Sequence, residues 1–168
     1  MPASPYVIAY RGSFDFPLPP EAMWDALEHS ERFETWWGWL HEFRRDGGGL
    51  EKGSVLSGVV SPPVPYEMRI RVVLDHCRRA ERIDAQVEGD LEGWAELLLE
   101  PRGDGTRATV SWTVEMKQRA MRVAARLAPP LMRWGHDRVV EMTVSSFRRH
   151  LGRATGPLGR GSPVGGGS

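Results

Sequence analysis

Lys117–Leu151, KQRAMRVAARLAPPLMRWGHDRVVEMTVSSFRRHL, is the stretch on which the fold turns. Met121, Ala125, Ala128, Met132, Gly135, Val139, Met142, Ser146 and His150 recur at steps of three or four, while Arg122, Arg126, Arg133, Arg138, Glu141 and Arg149 lie off that line. The spacing predicts one long amphipathic helix or two in tandem. Pro129 and Pro130 lack backbone donors and crowd the preceding turn, so the helix is interrupted there and two helices would meet at Ala128. Because the stripe is made of Ala, Gly, Ser and Met, the helix can lie on a surface without filling every gap beneath it. That surface has to be a sheet.

Upstream, the chain supplies strands. Tyr6, Ile8, Tyr10, Gly12, Phe14 and Phe16 alternate with polar residues, predicting a strand over Tyr6–Phe16 that is stopped by Pro17 and Pro19–Pro20. Pro20 and Glu21 open a helix with Met23, Trp24 and Leu27 on its apolar side, and Ser30 reads as the N-cap of a second short helix that buries Phe33, Trp36 and Trp37. A hairpin follows, with Trp39, His41 and Phe43 alternating before Asp46-Gly-Gly-Gly and an apolar run over Val55–Val60. Three more strands have Tyr66, Met68, Ile70, Val72 and Leu74, then Ile83, Ala85 and Val87, then Leu91, Gly93, Ala95, Leu97 and Leu99 facing inward. The last alternates Thr106, Ala108, Val110, Trp112, Val114 and Met116 with polar neighbours. Strands with one polar face each describe an antiparallel sheet covered on one side only, by the final helix. Small inward residues at Gly12, Gly93 and Ala95 let the sheet bend or leave room beneath that helix. The expected α+β arrangement, a curved sheet of about seven strands closed by a helix with a small-residue stripe, encloses an apolar pocket.

Composition sets bounds. The 168 residues suit one domain over 1–151, followed by a Gly/Pro/Ser-rich tail, 152–168, expected to be disordered. The 22 basic and 22 acidic residues cancel, so no global field argues for nucleic acid. Arginine prevails over the only lysines, Lys52 and Lys117, and asparagine is absent, which reads as compositional bias. The lone Cys77 excludes an internal disulfide and suits a reducing cytoplasm. The N-terminal stretch lacks signal-peptide features and no segment has the length of a membrane span, so a soluble cytoplasmic protein is expected. A phosphate loop fails at Ser54, which stands where lysine is needed. Adjacent His136 and Asp137 diverge by about 100° on a helix and His76 and Cys77 face opposite sides of a strand, so no metal site is expected. No cofactor is expected either.

Certain segments resemble a known family. Element order, together with Glu21-Ala-Met-Trp24, Trp36-Trp37, Val64-Pro-Tyr66, Gly89-Asp-Leu-Glu-Gly93 and Trp134-Gly-His-Asp137, resembles the START-like (SRPBCC) superfamily with its helix-grip fold, over about Tyr6–Leu151. Within it the chain is similar to the bacterial polyketide cyclase/dehydrase and lipid-transport branch. The resemblance implies a cavity between sheet and helix, walled by Tyr66, Met68, Ile70, Ala85, Gly93, Ala95, Trp112, Val114, Gly135, Val139 and Met142. Relatives with the Trp-x-His-Asp motif often carry asparagine at x; Gly135 removes that polar anchor.

Individual residues carry alternatives. His136 reads as a histidine at the edge of the helix-sheet interface, or as a ligand contact or proton carrier. Tyr66 and Trp112 are core residues, or aromatic groups orienting a guest. Trp36, Trp37 and Trp39 plug the mouth of the pocket or gate it. Asp137 is positioned to pair with Arg133, and Trp94 points outward. The basic edge Arg119, Arg122 and Arg126 is solvated, or makes transient contact with an anionic membrane. Three functions follow: binding of a hydrophobic small molecule (a lipid, polyketide or aromatic metabolite); a cyclase or dehydratase using His136 or Tyr66 as weak catalytic candidates; or a partner-binding module acting through Trp94 or the basic helix edge.

Overall fold

The computed structural model describes residues 4–64 and 66–154. Strand β1 (Val7–Phe16) leads into α1 (Pro20–Glu28), a 3-10 turn (Ser30–Arg32) and the short α2 (Phe33–Trp36). Six strands follow: β2 (Leu40–Asp46), β3 (Val55–Val60), β4 (Met68–Arg78), β5 (Arg82–Gly89), β6 (Leu91–Arg102) and β7 (Gly105–Met116). Helices α3 (Arg119–Leu127) and α4 (Pro129–Ala154) close the chain. All strand pairings are antiparallel, in the order β1-β7-β6-β5-β4-β3-β2. The two long-range neighbours β1 and β7 make the sheet a wrap-around rather than a plain meander, and α1 and α2 carry the chain from one edge to the other.

Period-two patterning places the strand faces as expected. Ile83, Ala85 and Val87 are buried in β5, and Ala108, Val114 and Met116 in β7. The helix break falls at Ala128, whose φ of −141° and ψ of 62° are not helical. Pro129 then starts α4, where its missing N–H costs nothing. α4 continues to Ala154, so the segment assigned to the tail begins as helix, and 155–168 lie outside the described residues. The N-cap of α2 is Arg32, with Ser30 opening the 3-10 turn instead; the Ser30 side chain lies outside the described residues.

Two bulges shift the pattern. At Glu42 (φ 51°) the β2–β3 register slips between His41 and Arg44. Trp39 and Phe43 face inward as expected, but Leu40 is buried in place of His41, which is exposed. A second slip between Leu74 and His76 in β4 turns Cys77 toward the core beside Ile83 and leaves His76 outside.

Packing concentrates at the two ends of the sheet. One cluster joins Phe16, Met23, Trp24, Leu74, Leu99, Phe147 and Leu151. The other joins Met116, Met121 and Ala125, with Tyr6, Tyr66 and Met132 against it. β6 and β7 approach closely at Gly93: a Cβ added there would lie 2.0 Å from the Thr113 carbonyl oxygen, a backbone contact that no side-chain rotation relieves. Gly93→Ala is accordingly expected to destabilise the fold by at least about 2 kcal/mol. Gly38→Ala, at an exposed site with open space around the new methyl, is expected to stay within about 0.5 kcal/mol of the parent. Urea unfolding of both variants checks the pair.

Candidate functional site

A cavity of about 560 Å³ lies between the concave sheet face and α4, flanked by the two packed clusters. Its size falls in the range of about 300–1,000 Å³ that small-molecule sites occupy. Ile8 and Phe14 line it from β1, and Met68, Ile70 and Val72 from β4, with Tyr66 just ahead of that strand. Ala95 and Leu97 of β6 and Val110, Trp112 and Val114 of β7 form the floor. From α4, Met132, Gly135, His136, Val139, Val140 and Thr143 form the roof. Nearly all of these groups are hydrocarbon.

Polar atoms in the lining are few. Tyr66 donates its hydroxyl to the Met132 sulfur at 3.1 Å, and burial pushes its phenol pKa up. Trp37 donates its indole N–H to the Thr143 carbonyl at 3.1 Å, which ties the aromatic end of the cavity to α4. Trp39 stacks on Trp37 with ring centres 5.6 Å apart. Among the described residues, two in the lining hold a buried nitrogen with no hydrogen-bond partner: Trp39 Nε1 and His136 Nε2. For His136 the other ring nitrogen, Nδ1, lies 3.2 Å from the Asp137 carboxylate. A carboxylate only accepts, so Nδ1 donates to Asp137, and in the neutral ring Nε2 is then an acceptor. Trp39 Nε1–H can only donate.

Tyr10 stacks on Trp112 with ring centres 4.6 Å apart, and the His136 ring meets this stacked pair edge-on, its centre 5.2 Å from Tyr10 and 5.4 Å from Trp112. Burial first and the Asp137 charge second raise the Tyr10 phenol pKa. In the sequence Tyr10 is only one member of an alternating strand, and nothing in its own neighbourhood distinguishes it. The β1–β7 pairing, with Tyr10 opposite Trp112, brings it to α4.

Of the residues assigned to the walls from sequence, Tyr66, Met68, Ile70, Ala95, Trp112, Val114, Gly135, His136 and Val139 lie in the lining. Ala85, Gly93 and Met142 do not. Ala85 is buried in the end cluster with Leu74 and Ile83, and Gly93 serves the close β6–β7 approach. Met142 is lost to helix phase: a stripe stepping alternately by four and three repeats every 3.5 residues and drifts about 20° per heptad from a straight helix. The cavity side instead follows Met132, His136, Val139, Val140, Thr143 and Phe147. Asp137 bonds to His136, and Arg133 forms no ion pair among the described residues. No group of three or more His, Cys, Asp or Glu side chains with metal-binding geometry occurs among the described residues.

No protein-family model matches the sequence, and no curated protein does. Solved structures match it in shape. The protein TTHA0849 from Thermus thermophilus superposes with a TM-score of 0.70 at 17% identity, over 88% of this chain and 99% of that one. A START superfamily protein from Mycobacterium smegmatis gives 0.66 at 14% identity, over 88% and 99%. The fold is START-like. The di-domain ARO/CYC StfQ from the steffimycin biosynthetic pathway gives 0.68 at 10% identity, over 91% of this chain and 54% of its own. At these identities the START-like likeness is one of fold.

Raised phenol pKa values have a pH consequence in this START-like domain. Between the ordinary phenol pKa, about 10, and the higher folded values of Tyr10 and Tyr66, the unfolded chain loses protons that the native state keeps. Stability is therefore fully present below that ordinary value and declines as pH rises through the folded ones. Tyr66→Phe is expected to flatten that decline, read as unfolding midpoints across an alkaline series.

Proposed function

We propose that this protein binds a hydrophobic small molecule in the cavity between the sheet and α4. The observation that carries the proposal is the hydrocarbon lining around a space of guest size, with one buried acceptor at His136 and one buried donor at Trp39 left without protein partners. A guest that is mostly apolar, with a hydroxyl or N–H for His136 and a carbonyl or ether oxygen for Trp39, answers both. Leaving each nitrogen unmatched costs about 1–3 kcal/mol. A lipid, polyketide or aromatic metabolite has that character. Sequestration by apolar burial, at about 25 cal/mol per Å², is the mechanism, and the lone half-buried Cys77 fits a cytoplasmic carrier.

His136 also supports a second reading, a cyclase or dehydratase acting on a poly-keto chain. An acceptor nitrogen in a water-poor pocket, its tautomer set by Asp137, is suited to taking up a proton from an enolisable carbon. Loss of turnover in His136→Ala with retained probe binding is the result that favours catalysis over carriage.

Neighbours on opposite faces of β6 provide the test of binding itself. Ala95 lines the cavity, whereas Trp94 is 47% exposed on the outside. Titration with 1-anilinonaphthalene-8-sulfonate under native conditions is expected to show saturable one-to-one binding, lost by at least about ten-fold when Ala95→Trp fills the space and unchanged in Trp94→Glu. Equal binding by the two variants refutes the cavity as the site. Native mass spectrometry of protein purified from its own host then identifies the retained guest.

A further inference from the structure

Among the described residues, the exposed large hydrophobic side chains are unevenly placed. Val123 (55% exposed), Leu127 (81%), Leu131 (43%) and Trp134 (52%) all fall within the end of α3 and the start of α4; only Val7 and Trp94 lie elsewhere. Val123 and Leu127, four residues apart, share the outer face of α3, and Leu131 and Trp134, three apart, share that of α4, so exposed hydrocarbon flanks the Ala128 break on both sides. The same helices bury Met121, Ala125 and Gly135 on the inner side. α3 is thus apolar on two sides, and among the described residues only the inner one is covered.

The segment that carries these residues has charges of a single sign in its own sequence. From Lys117 to His136 there are five lysine or arginine residues and no aspartate or glutamate, in a chain whose charges otherwise cancel. Lys117 and Arg122 are engaged by Glu115. Arg126 lies over the Tyr6 ring, and it forms no salt bridge among the described residues; nor do Arg119 and Arg133.

We propose that the α3–α4 elbow docks on the surface of an anionic lipid bilayer, inserting Val123, Leu127, Leu131 and Trp134 below the headgroups while Arg119, Arg126 and Arg133 engage lipid phosphates. Hydrocarbon below, cations at headgroup level and an indole at the boundary are what an interfacial helix requires. No described helix is long and apolar enough to cross a membrane, so the contact is superficial. A second copy of the chain fits this exposed hydrocarbon poorly, because a twofold contact would set these arginines against themselves. Docking here would bring the bilayer to the outer side of helices whose inner residues Met121, Met132 and Gly135 line the cavity. The proposal itself rests on the outer surface and stands apart from whatever the cavity holds.

Flotation of the full chain with phosphatidylcholine vesicles, with and without phosphatidylglycerol, tests this. Binding is expected only with phosphatidylglycerol and is expected to weaken as salt is raised. Removing Arg119, Arg126 and Arg133 together as glutamines should weaken it about five-fold per charge, on the order of a hundred-fold in all. Leu127→Glu, at a surface position that the fold does not need, should abolish it while circular dichroism stays unchanged. Absence of binding to phosphatidylglycerol vesicles overturns the proposal, as does undiminished binding by either variant. A wild-type dimer in sedimentation that Leu127→Glu dissociates would also overturn it, assigning the exposed hydrocarbon to self-association.

Discussion

Trp37 donates its indole N–H to the Thr143 carbonyl, and Phe147 meets Phe16 edge-on with ring centres 5.5 Å apart. These contacts, with Trp36 against Phe147 and His150, fix the distance at which the far half of α4 stands from the sheet. At the opposite end Met116, Met121 and Ala125 pack closely. Between the two supports the helix presents Gly135, Val139 and Val140, which are too short to reach the floor formed by Ala95 and Val114. Rigid aromatic and methionine packing at the ends, with small residues between, holds the cavity open. Were large flexible side chains to replace the small ones, the same elements would close into an ordinary core.

Stability and function pull in opposite directions inside this space. Dense packing at the end clusters supplies the burial that orders the domain, while the middle gives up dispersion contacts to leave room for a guest. Polar groups follow the same division. The Tyr66 hydroxyl and Trp37 N–H are satisfied within the protein and serve the architecture. In the lining, His136 Nε2 and Trp39 Nε1 are buried without such partners among the described residues, so a guest can complete their hydrogen bonding.

The outer surfaces differ from one another in a related way. On the sheet's exterior, charges are matched: Arg71 with Glu88, Arg82 with Glu96 and Arg107 with Asp15 across strands, and Arg82 with Asp84 within β5. Exposed pairs of this kind contribute little stability, but they leave a surface with no dominant sign. The α3–α4 elbow has no acids in its own sequence from Lys117 to His136, and hydrocarbon that no described residue covers. The contrast within one molecule separates a solvated face from one suited to a lipid boundary.

Alternation of apolar and polar residues was enough to determine the strands, their inward faces and the closing helix, because one-sided burial imposes a period of two on strands and 3.6 on helices. The double proline by itself located the break at Ala128. Three things were decided only by the tertiary structure. Bulges at Glu42 and in β4 exchanged which residues face inward, since an extra residue in one strand is registered only against its partner. Helix phase moved Met142 out of the lining, because a small angular drift accumulates along α4. Tyr10 reached His136 through pairing with a strand about a hundred residues away, a proximity that no local spacing encodes.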